Sequence, residues 1–499
     1  MSGSRRHVAI DLGASGGRVM EVLVSGGAVQ ARELHRFANA PVPVADAGDV
    51  RLAWPVEAML GQVVVGLRGA ARMAEADGVP VESIGIDTWA VDYALVDADG
   101  ALVRPIAAYR DPRTREPCAR LRALLGDEAI YATTGIAFQP FNTLYQLAAD
   151  AVDPSAPLDR AHRMLMLPDF VAFRLCGAAR CERTNASSTQ LLDARTGQWS
   201  RPLAEAAGVP GGMLPELVEA GTRLGGILPE IASATGLRPG TPVVAVATHD
   251  TASAVLAAPI DPDRDVYVSS GTWSLVGAEL RSPITSDAAR VANLTNEAGA
   301  FGAVRFLRNV AGLWLVQQLE ATFREEGRPR SWDELAALAA SAEPVRSVID
   351  ADEPALFEPG AMPTRLRDAC AARGEPVPRD DGELVRCALD SVALATARAV
   401  RSVCAVAGLD ARRIVVVGGG AANGLLNQLV ADASGLPVET GPTESTAIGN
   451  GLVQHAALEG IREAAPLRAM VRASFPSRRF VPGSPAQAAL RAAMARVMR

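Results

Sequence analysis

The sequence contains no lysine: every one of its 49 Lys+Arg residues is arginine. That excludes chemistry that needs a side-chain amine. A Walker-A nucleotide site depends on a lysine at the β/γ-phosphates, a protein-kinase site on a lysine–glutamate pair, and Schiff-base or pyridoxal chemistry on a lysine nitrogen. A phosphate-handling chain of this composition must use backbone amides, hydroxyls, arginine and metal. Cysteine is scarce as well. Cys118, Cys176, Cys181, Cys370, Cys387 and Cys404 are scattered and form no C-x-x-C pair, so neither a zinc ribbon nor a disulfide scaffold is expected. No 18-residue run is both apolar and free of charge, so no transmembrane helix is expected. The segment Met1 to Arg6 is short, polar and basic, and Asp11 arrives too early for a signal-peptide core. A soluble, cytoplasmic protein is the expectation. The net charge of -7 argues against a nucleic-acid or anionic-membrane partner.

What is present points to a large α/β protein. The 499 residues are 49% hydrophobic and 21% charged, enough for two or three domains with sizeable cores. Val8–Val22 reads as strand, glycine-rich turn, strand, and Gly26-Gly27 leads to a third strand over Val29–Phe37. A helix is expected from Pro55 to about Asp77, then a buried strand at Ser83–Asp87 and a strand pair closing at Asp97–Gly100. Helices are expected over Asp111–Leu125 and Thr143–Ala149, and Pro168-Asp169 within Leu165–Leu175 looks like a helix start. Gly221–Ala247 is rich in turns and ends in a buried strand. The opening pattern then returns: Asp265–Leu280 is again strand, Ser/Gly turn, strand. A long helix (Asp381–Ala407), a strand (Arg412–Val417), the turn Gly418-Gly419-Gly420 and a helix (Ala422–Ser434) follow, then a strand (Pro437–Thr440) and a helix (Thr446–Leu458). The restart marks two similarly built α/β domains with a cleft between them, divided near Thr248–Asp261.

Four stations carry candidate chemistry. In Asp11-Leu12-Gly13-Ala14-Ser15-Gly16-Gly17-Arg18, glycines let backbone amides converge on an anion, Ser15 adds a hydroxyl and Arg18 a fixed charge. Asp11 is placed to hold a Mg²⁺-bound water; the bland alternative is an ordinary hairpin. The same run contains G-x-S-x-G, the hydrolase nucleophile elbow, but that motif needs a helix after the serine, whereas Val19–Val24 favours a strand. Thr248-His249-Asp250-Thr251 stands where a strand end meets a helix start, the usual place for ligand groups in α/β proteins. Asp250 fits a general base with His249 and Thr251 orienting a substrate, against the alternative of plain helix capping. Ser269-Ser270-Gly271-Thr272 is a second hydroxyl-bearing turn, a candidate phosphate clamp or a plain turn. Gly418-Gly419-Gly420 between a strand and a helix resembles a nucleotide-binding turn, with Glu439 where a ribose-binding acid would stand, but Asn423 breaks the dinucleotide fingerprint.

Taken together, these stations resemble the FGGY family of carbohydrate kinases, in the actin-like ATPase superfamily. Longer runs are similar to its rhamnulokinase branch: GIDTWAVDYALVD from Gly85, AYRDPRT from Ala108, GIAFQPFNTLYQL from Gly135, THDTASAV from Thr248, SSGTWSLVG from Ser269, RNVAGLWLVQ from Arg308 and GGGAANGLLNQLVADASGLPV from Gly418. The resemblance runs from about residue 8 to residue 460. It implies an α/β fold of two actin-like (ribonuclease H-like) ATPase domains around a catalytic cleft, over 1–250 and 251–470; beyond it, the extension over 471–499 is expected to hold a terminal helix from about Pro485. It implies transfer of the ATP γ-phosphoryl group to the 1-hydroxyl of L-rhamnulose with Mg²⁺. Residue by residue, it implies Asp250 as the base; Ala90, His249, Asp250, Thr251 and Asn309 at the sugar; and Ala14, Ser15, Gly16, Gly17, Arg18, Thr272, Gln317 and Gly419 at ATP. Ala90 stands where the branch usually has a sugar-contacting glycine, and Gly16 where it usually has serine. Kinases for L-fuculose or a pentulose, a serine hydrolase using Ser15, and a sugar sensor without catalysis are the alternatives.

Overall fold

The computed structural model describes residues 3–46, 49–358 and 360–497. Met1 and Ser2 of the predicted first domain, and Met498 and Arg499 of the predicted extension, lie outside the described residues. The chain forms two compact units. The first is assembled from Met1–Ala257, Leu280–Phe306 and Glu444–Ser474, the second from Ala258–Glu279, Leu307–Thr443 and Phe475–Arg499.

The first unit is built on β1 (Arg5–Gly13), β2 (Gly16–Ser25), β3 (Ala28–Ala38), β4 (Val81–Thr88), β5 (Thr222–Gly226) and β6 (Pro242–Ala245), in the sheet order β5-β6-β4-β1-β2-β3. The three opening strands form the antiparallel meander expected from their glycine turns, while β4 runs parallel to both β1 and β6. β1 is buried along nearly its whole length, as suits a strand covered on both faces. One face meets the helix Val56–Asp77, whose Val56, Met59, Leu60, Val63, Leu67 and Ala70 form a single apolar stripe. The other meets the helix Ser445–Glu459. A Cβ on Gly66 of the first helix would lie 2.4 Å from Val19, and one on Gly451 of the second 2.4 Å from Val22. Val19 and Val22 are three residues apart on β2 and so point to opposite faces.

The second unit repeats this plan. Its strands β7 (Asp265–Ser270), β8 (Trp273–Leu280), β9 (Val304–Ala311), β10 (Arg413–Val417), β11 (Val438–Thr440) and β12 (Arg479–Phe480) run in the order β9-β8-β7-β10-β11-β12. As in the first unit, a hairpin is followed by two parallel neighbours and closed by an antiparallel strand. The pattern restart in the sequence is thus a repeat of topology. The helix Asp381–Ala407 has the expected bounds, because Asp380 accepts from the Glu383 amide at one end and Gly408 takes a left-handed φ of 67° at the other.

Three local expectations are refined. The pair closing at Asp97–Gly100 is short, a bridge between Val96 and Leu102 with the Val103 amide donating to the Leu95 carbonyl at 2.9 Å, and Tyr93–Val96 pairs over its full length with Arg163–Met166 instead. The Asp97 carboxylate captures the amides of Asp99 and Ala101, which closes the turn between them. Residues 163–166 are therefore strand, and the helix occupies Leu167–Cys176, with Pro168 in its first turn where a missing N–H does no harm. The helix expected from Asp111 begins at Arg115, after a 3₁₀ turn over Pro112–Thr114 capped by Asp111. All six cysteines are free thiols, and no described helix is long and apolar enough to cross a membrane.

Candidate active site

Asp250 opens the helix Asp250–Leu256, beyond the end of β6. The approach to it is fixed by buried polar groups. The Thr88 amide donates to the Thr248 carbonyl at 2.9 Å, the Thr248 amide to Glu182 Oε2 at 3.0 Å, and the His249 amide to Thr184 Oγ1 at 3.2 Å. His249 and Thr251 are buried, while the Asp250 side chain keeps 32% of its surface exposed. Capping does not account for Asp250: the N-cap position belongs to His249, which makes no side-chain cap bond. Asp250 Oδ1 accepts from the Thr251 amide at 2.6 Å and Thr251 Oγ1 at 3.1 Å, and lies 3.4 Å from His249 Nε2. Burial raises the Asp250 pKa, with the Asp11 charge adding to the rise and the Thr251 bonds opposing it.

Sequence reasoning missed three charged residues here. Arg305 is fully buried; its Nη2 lies 3.0 Å from both His249 Nδ1 and Glu297 Oε2, and its Nε donates to the Ala298 carbonyl at 3.0 Å. Asp87, next to last on β4, lies directly beside Asp11 on β1 and accepts from Asn450 Nδ2. Its pKa is driven well above the usual carboxylate range by burial and then by the Asp11 charge. The signal available for Asp87 was an acid ending an apolar strand, and for Arg305 an arginine inside the alternating run Val304–Ala311.

The first glycine-rich turn is a tight hairpin joining β1 to β2, so no helix follows Ser15 and the nucleophile-elbow geometry is absent. Gly13, Gly16 and Gly17 all avoid positive φ. Their role is clearance rather than a left-handed nest: a Cβ on Gly17 would sit 2.2 Å from the Phe37 ring. Ser15 is exposed at the tip, and Asn39 Nδ2 donates to the Gly13 carbonyl at 3.0 Å. Arg18 donates to Asp11 Oδ2 through one nitrogen and to Glu444 Oε2 through another.

Ala90 lies in a braced loop after β4. Val91 takes a φ of 71°, a strained conformation for a β-branched residue, and its carbonyl accepts from Thr143 Oγ1 at 2.7 Å and Gln146 Nε2 at 3.1 Å. Beneath it, Asp92 Oδ2 accepts from Trp54 Nε1 at 2.6 Å and Trp89 Nε1 at 2.8 Å, and those two rings pack at 4.2 Å with their planes tilted by 45°. Burial pushes the Asp92 pKa up to about 6, against the pull of the Trp89 and Trp54 bonds. The loop presents half-buried Ala90 on a rigid aromatic base.

In the second unit the structure gathers Thr272, Gln317 and Gly419. The Gly271 and Thr272 carbonyls accept from the Leu313 and Trp314 amides at 2.9 and 3.1 Å, where the helix Trp314–Glu325 bearing Gln317 begins. On the other side, a Cβ on Gly420 would lie 2.0 Å from Ser270 Oγ, so the glycine turn packs on the hairpin turn. Gly419 is exposed, with open space where a side chain would project. Asn423 caps the following helix by accepting from the Leu426 amide at 3.0 Å. Glu439 is held by Arg413, which also pairs with Asp265 at 2.9 Å. Asn309 is half-buried on β9.

Residues 7–257 match the model of the FGGY carbohydrate kinase N-terminal domain, and residues 266–458 that of the C-terminal domain. A rhamnulokinase of Pectobacterium carotovorum is 40% identical over 480 residues, covering 95% of this chain and 92% of that protein. A rhamnulokinase of Bacillus subtilis is 38% identical over 476 residues, covering 95% of each. Among solved structures, xylulose kinase from Rhodospirillum rubrum matches with a TM-score of 0.77 at 20% identity over 99% of this chain and 98% of its own. Plasmodium falciparum glycerol kinase with ADP matches at 0.78 and 15% identity, with the same coverage. The two repeated sheets, the turns they carry and these full-length matches have one reading: the chain belongs to the FGGY family of carbohydrate kinases.

Proposed function

We propose that this chain is an ATP-dependent kinase that phosphorylates the 1-hydroxyl of L-rhamnulose, giving L-rhamnulose 1-phosphate and ADP, in the cytoplasm where ATP is made. The observation that carries the reading is Asp250: a carboxylate with one oxygen held by Thr251, a raised pKa and an accessible face at a strand end. A sugar hydroxyl is a poor nucleophile, and a carboxylate poised closer to neutrality is suited to take its proton as the oxygen bonds to the γ-phosphorus and ADP leaves. In this reading Ala90, His249, Thr251 and Asn309 contact the sugar. Ala14 to Arg18, Thr272, Gln317 and Gly419 contact the nucleotide. Full-length relatives named as rhamnulokinases support the choice of ketose.

The residues present fit a divalent cation. Asp11, Asp87 and Asp250 form an acidic set in which the Asp11 charge raises the pKa of both others, and Asp87 Oδ1 is buried with no partner. Arg18, already shared between Asp11 and Glu444, does not neutralise that set. A free triphosphate would be repelled there more strongly than a metal-bound one. Among the described residues no three metal-ligating side chains converge, so Asp11 would hold Mg²⁺ through water, as that ion prefers. When bound, Mg²⁺ supplies neutralisation of the phosphate charge.

The test is an ADP-release assay over L-rhamnulose, L-fuculose and pentuloses, with Asp250→Asn alongside. L-rhamnulose is expected among the best substrates, and the variant is expected to lose about 10²–10⁴ in kcat. Preference for another ketose would overturn the substrate, and no ADP release with any ketose would overturn the kinase reading.

A further inference from the structure

Resting on the reading of Asp250 as the base, we infer that Arg305 is a positioning residue: it holds His249 in the neutral Nε2–H form, which directs that N–H at Asp250 Oδ1 and leaves Oδ2 as the oxygen that takes the sugar proton. A guanidinium in a protein stays protonated and has no acceptor, so an Arg305 N–H 3.0 Å from His249 Nδ1 requires a lone pair there. A proton on Nδ1 would meet the Arg305 N–H head-on. Glu297 Oε2 also lies near Nδ1, at 3.3 Å, but Arg305 lies closer to it, at 3.0 Å, and answers its charge. Burial opposes ionisation of Glu297, yet the Arg305 charge outweighs it and the pKa falls.

With Nδ1 as acceptor, the single imidazole proton sits on Nε2, which lies 3.4 Å from Asp250 Oδ1. That oxygen already accepts from the Thr251 amide and hydroxyl. Two donors therefore bond Oδ1 and the Nε2–H stands 3.4 Å from it. The lone pairs of Oδ2 are the ones left to act, so the same carboxylate is anchored through one atom and reactive through the other. Without Arg305, His249 is free to put its proton on Nδ1 toward Glu297. The Nε2 lone pair would then face Oδ1, acceptor against acceptor, and Asp250 would lose its orientation. The network spans residues far apart in the chain, from His249 to the strand carrying Arg305.

The direct measurement is ¹⁵N NMR of the histidine rings in the full-length, uniformly labelled chain near neutral pH. The chain has five histidines, and His249 is assigned by the signal lost in His249→Gln. The expected result is a protonated Nε2 and an unprotonated Nδ1. In Arg305→Met combined with Glu297→Met, which leaves no buried charge unpaired, the His249 pattern is expected to change. There kcat is expected to fall about ten-fold or more while KM for ATP stays put, as lost alignment predicts. A wild-type ring protonated on Nδ1, or on both nitrogens, overturns the inference whatever the activity. So does a folded double variant with unchanged spectrum and kcat. If the double variant does not fold, the wild-type spectrum still decides. The expected spectrum in a chain that phosphorylates no ketose upholds the hydrogen-bond assignment and overturns the functional reading instead.

Discussion

Acid should destabilise this protein through one histidine. His7 lies on β1 with no exposed surface, and its Nδ1 is 2.9 Å from Ser83 Oγ. Ser83 spends its own proton on Gln454 Oε1 at 2.7 Å, so His7 must donate from Nδ1, and its Nε2 has no partner to share a second proton. Burial, then the nearby His455 and Arg5, push its pKa from 6.5 to about 3. The folded chain thus binds the second His7 proton more weakly than the unfolded one. The stability this confers is complete above pH 6.5 and is lost as pH falls toward 3, where the loss reaches about 5 kcal/mol; by pH 5 it is about 2 kcal/mol. That is a large share of an ordinary folding free energy of about 5–15 kcal/mol. The assay is urea unfolding of the wild type and His7→Gln at pH 7.5 and 5.0, since glutamine keeps a donor for Ser83 but does not titrate. The wild type should lose about 2 kcal/mol more than the variant across that interval. Parallel losses in the two proteins, or a His7 ring that titrates by NMR near 6.5, would refute the reasoning.

Three further outcomes are expected. Gly449→Ala would place a methyl 1.8 Å from the Ser253 carbonyl oxygen, in the helix that Asp250 opens. It should cost at least about 1–3 kcal/mol in thermal or urea unfolding and lower kcat through displacement of Asp250. Asp92 has its folded pKa raised to about 6, so the stability tied to its proton is present below pH 3.8 and lost as pH rises through 6. The stability of the wild type relative to Asp92→Asn should therefore fall by about 3 kcal/mol across that window and level off above it, read from urea midpoints. Arg6→Lys should destabilise by about 1–3 kcal/mol with kcat kept, because one ammonium cannot replace the fork that bonds Glu21, Asp77 and the Val79 carbonyl.

Local signals in the sequence carried most of the fold. Glycine turns bounded β1 to β3, an acidic cap and a glycine bounded the helix Asp381–Ala407, and the second hairpin announced the repeat. The stations holding Asp250, Ser15, Thr272 and Gly419 were legible because each combines a turn with reactive side chains. What stayed hidden depends on contacts that no local pattern encodes. Asn450 bonds Asp87 across 363 positions, and Glu444 bonds Arg18 across 426, because the segment Glu444–Ser474 returns to the first unit. Arg305 and Glu297 are brought to His249 by another such segment, Leu280–Phe306. The strand pairing of Tyr93–Val96 with Arg163–Met166 was missed for the same reason, since the partner is remote in the chain.

The absence of lysine takes on structural meaning once these remote contacts are known. Arg6 joins Glu21 to Asp77, Arg18 joins Asp11 to Glu444, and Arg305 joins Glu297 and the Ala298 carbonyl to His249. In each case one side chain reaches two or more partners from different nitrogens. A planar fork with five fixed donors does this while remaining charged, and it sheds water more readily than an ammonium does. A lysine presents its donors from a single atom and shifts its pKa when buried, so it would satisfy one partner and leave the other uncompensated. The arginines therefore act as braces across the first unit, and two of them end on residues that touch the acid cluster. Asp11, paired with Arg18, raises the pKa of Asp87 and Asp250, while His249, held by Arg305, stands 3.4 Å from the Asp250 carboxylate. The same groups that tie distant segments together thus set the electrostatics around the proposed base, which links the composition of the chain directly to the chemistry of its site.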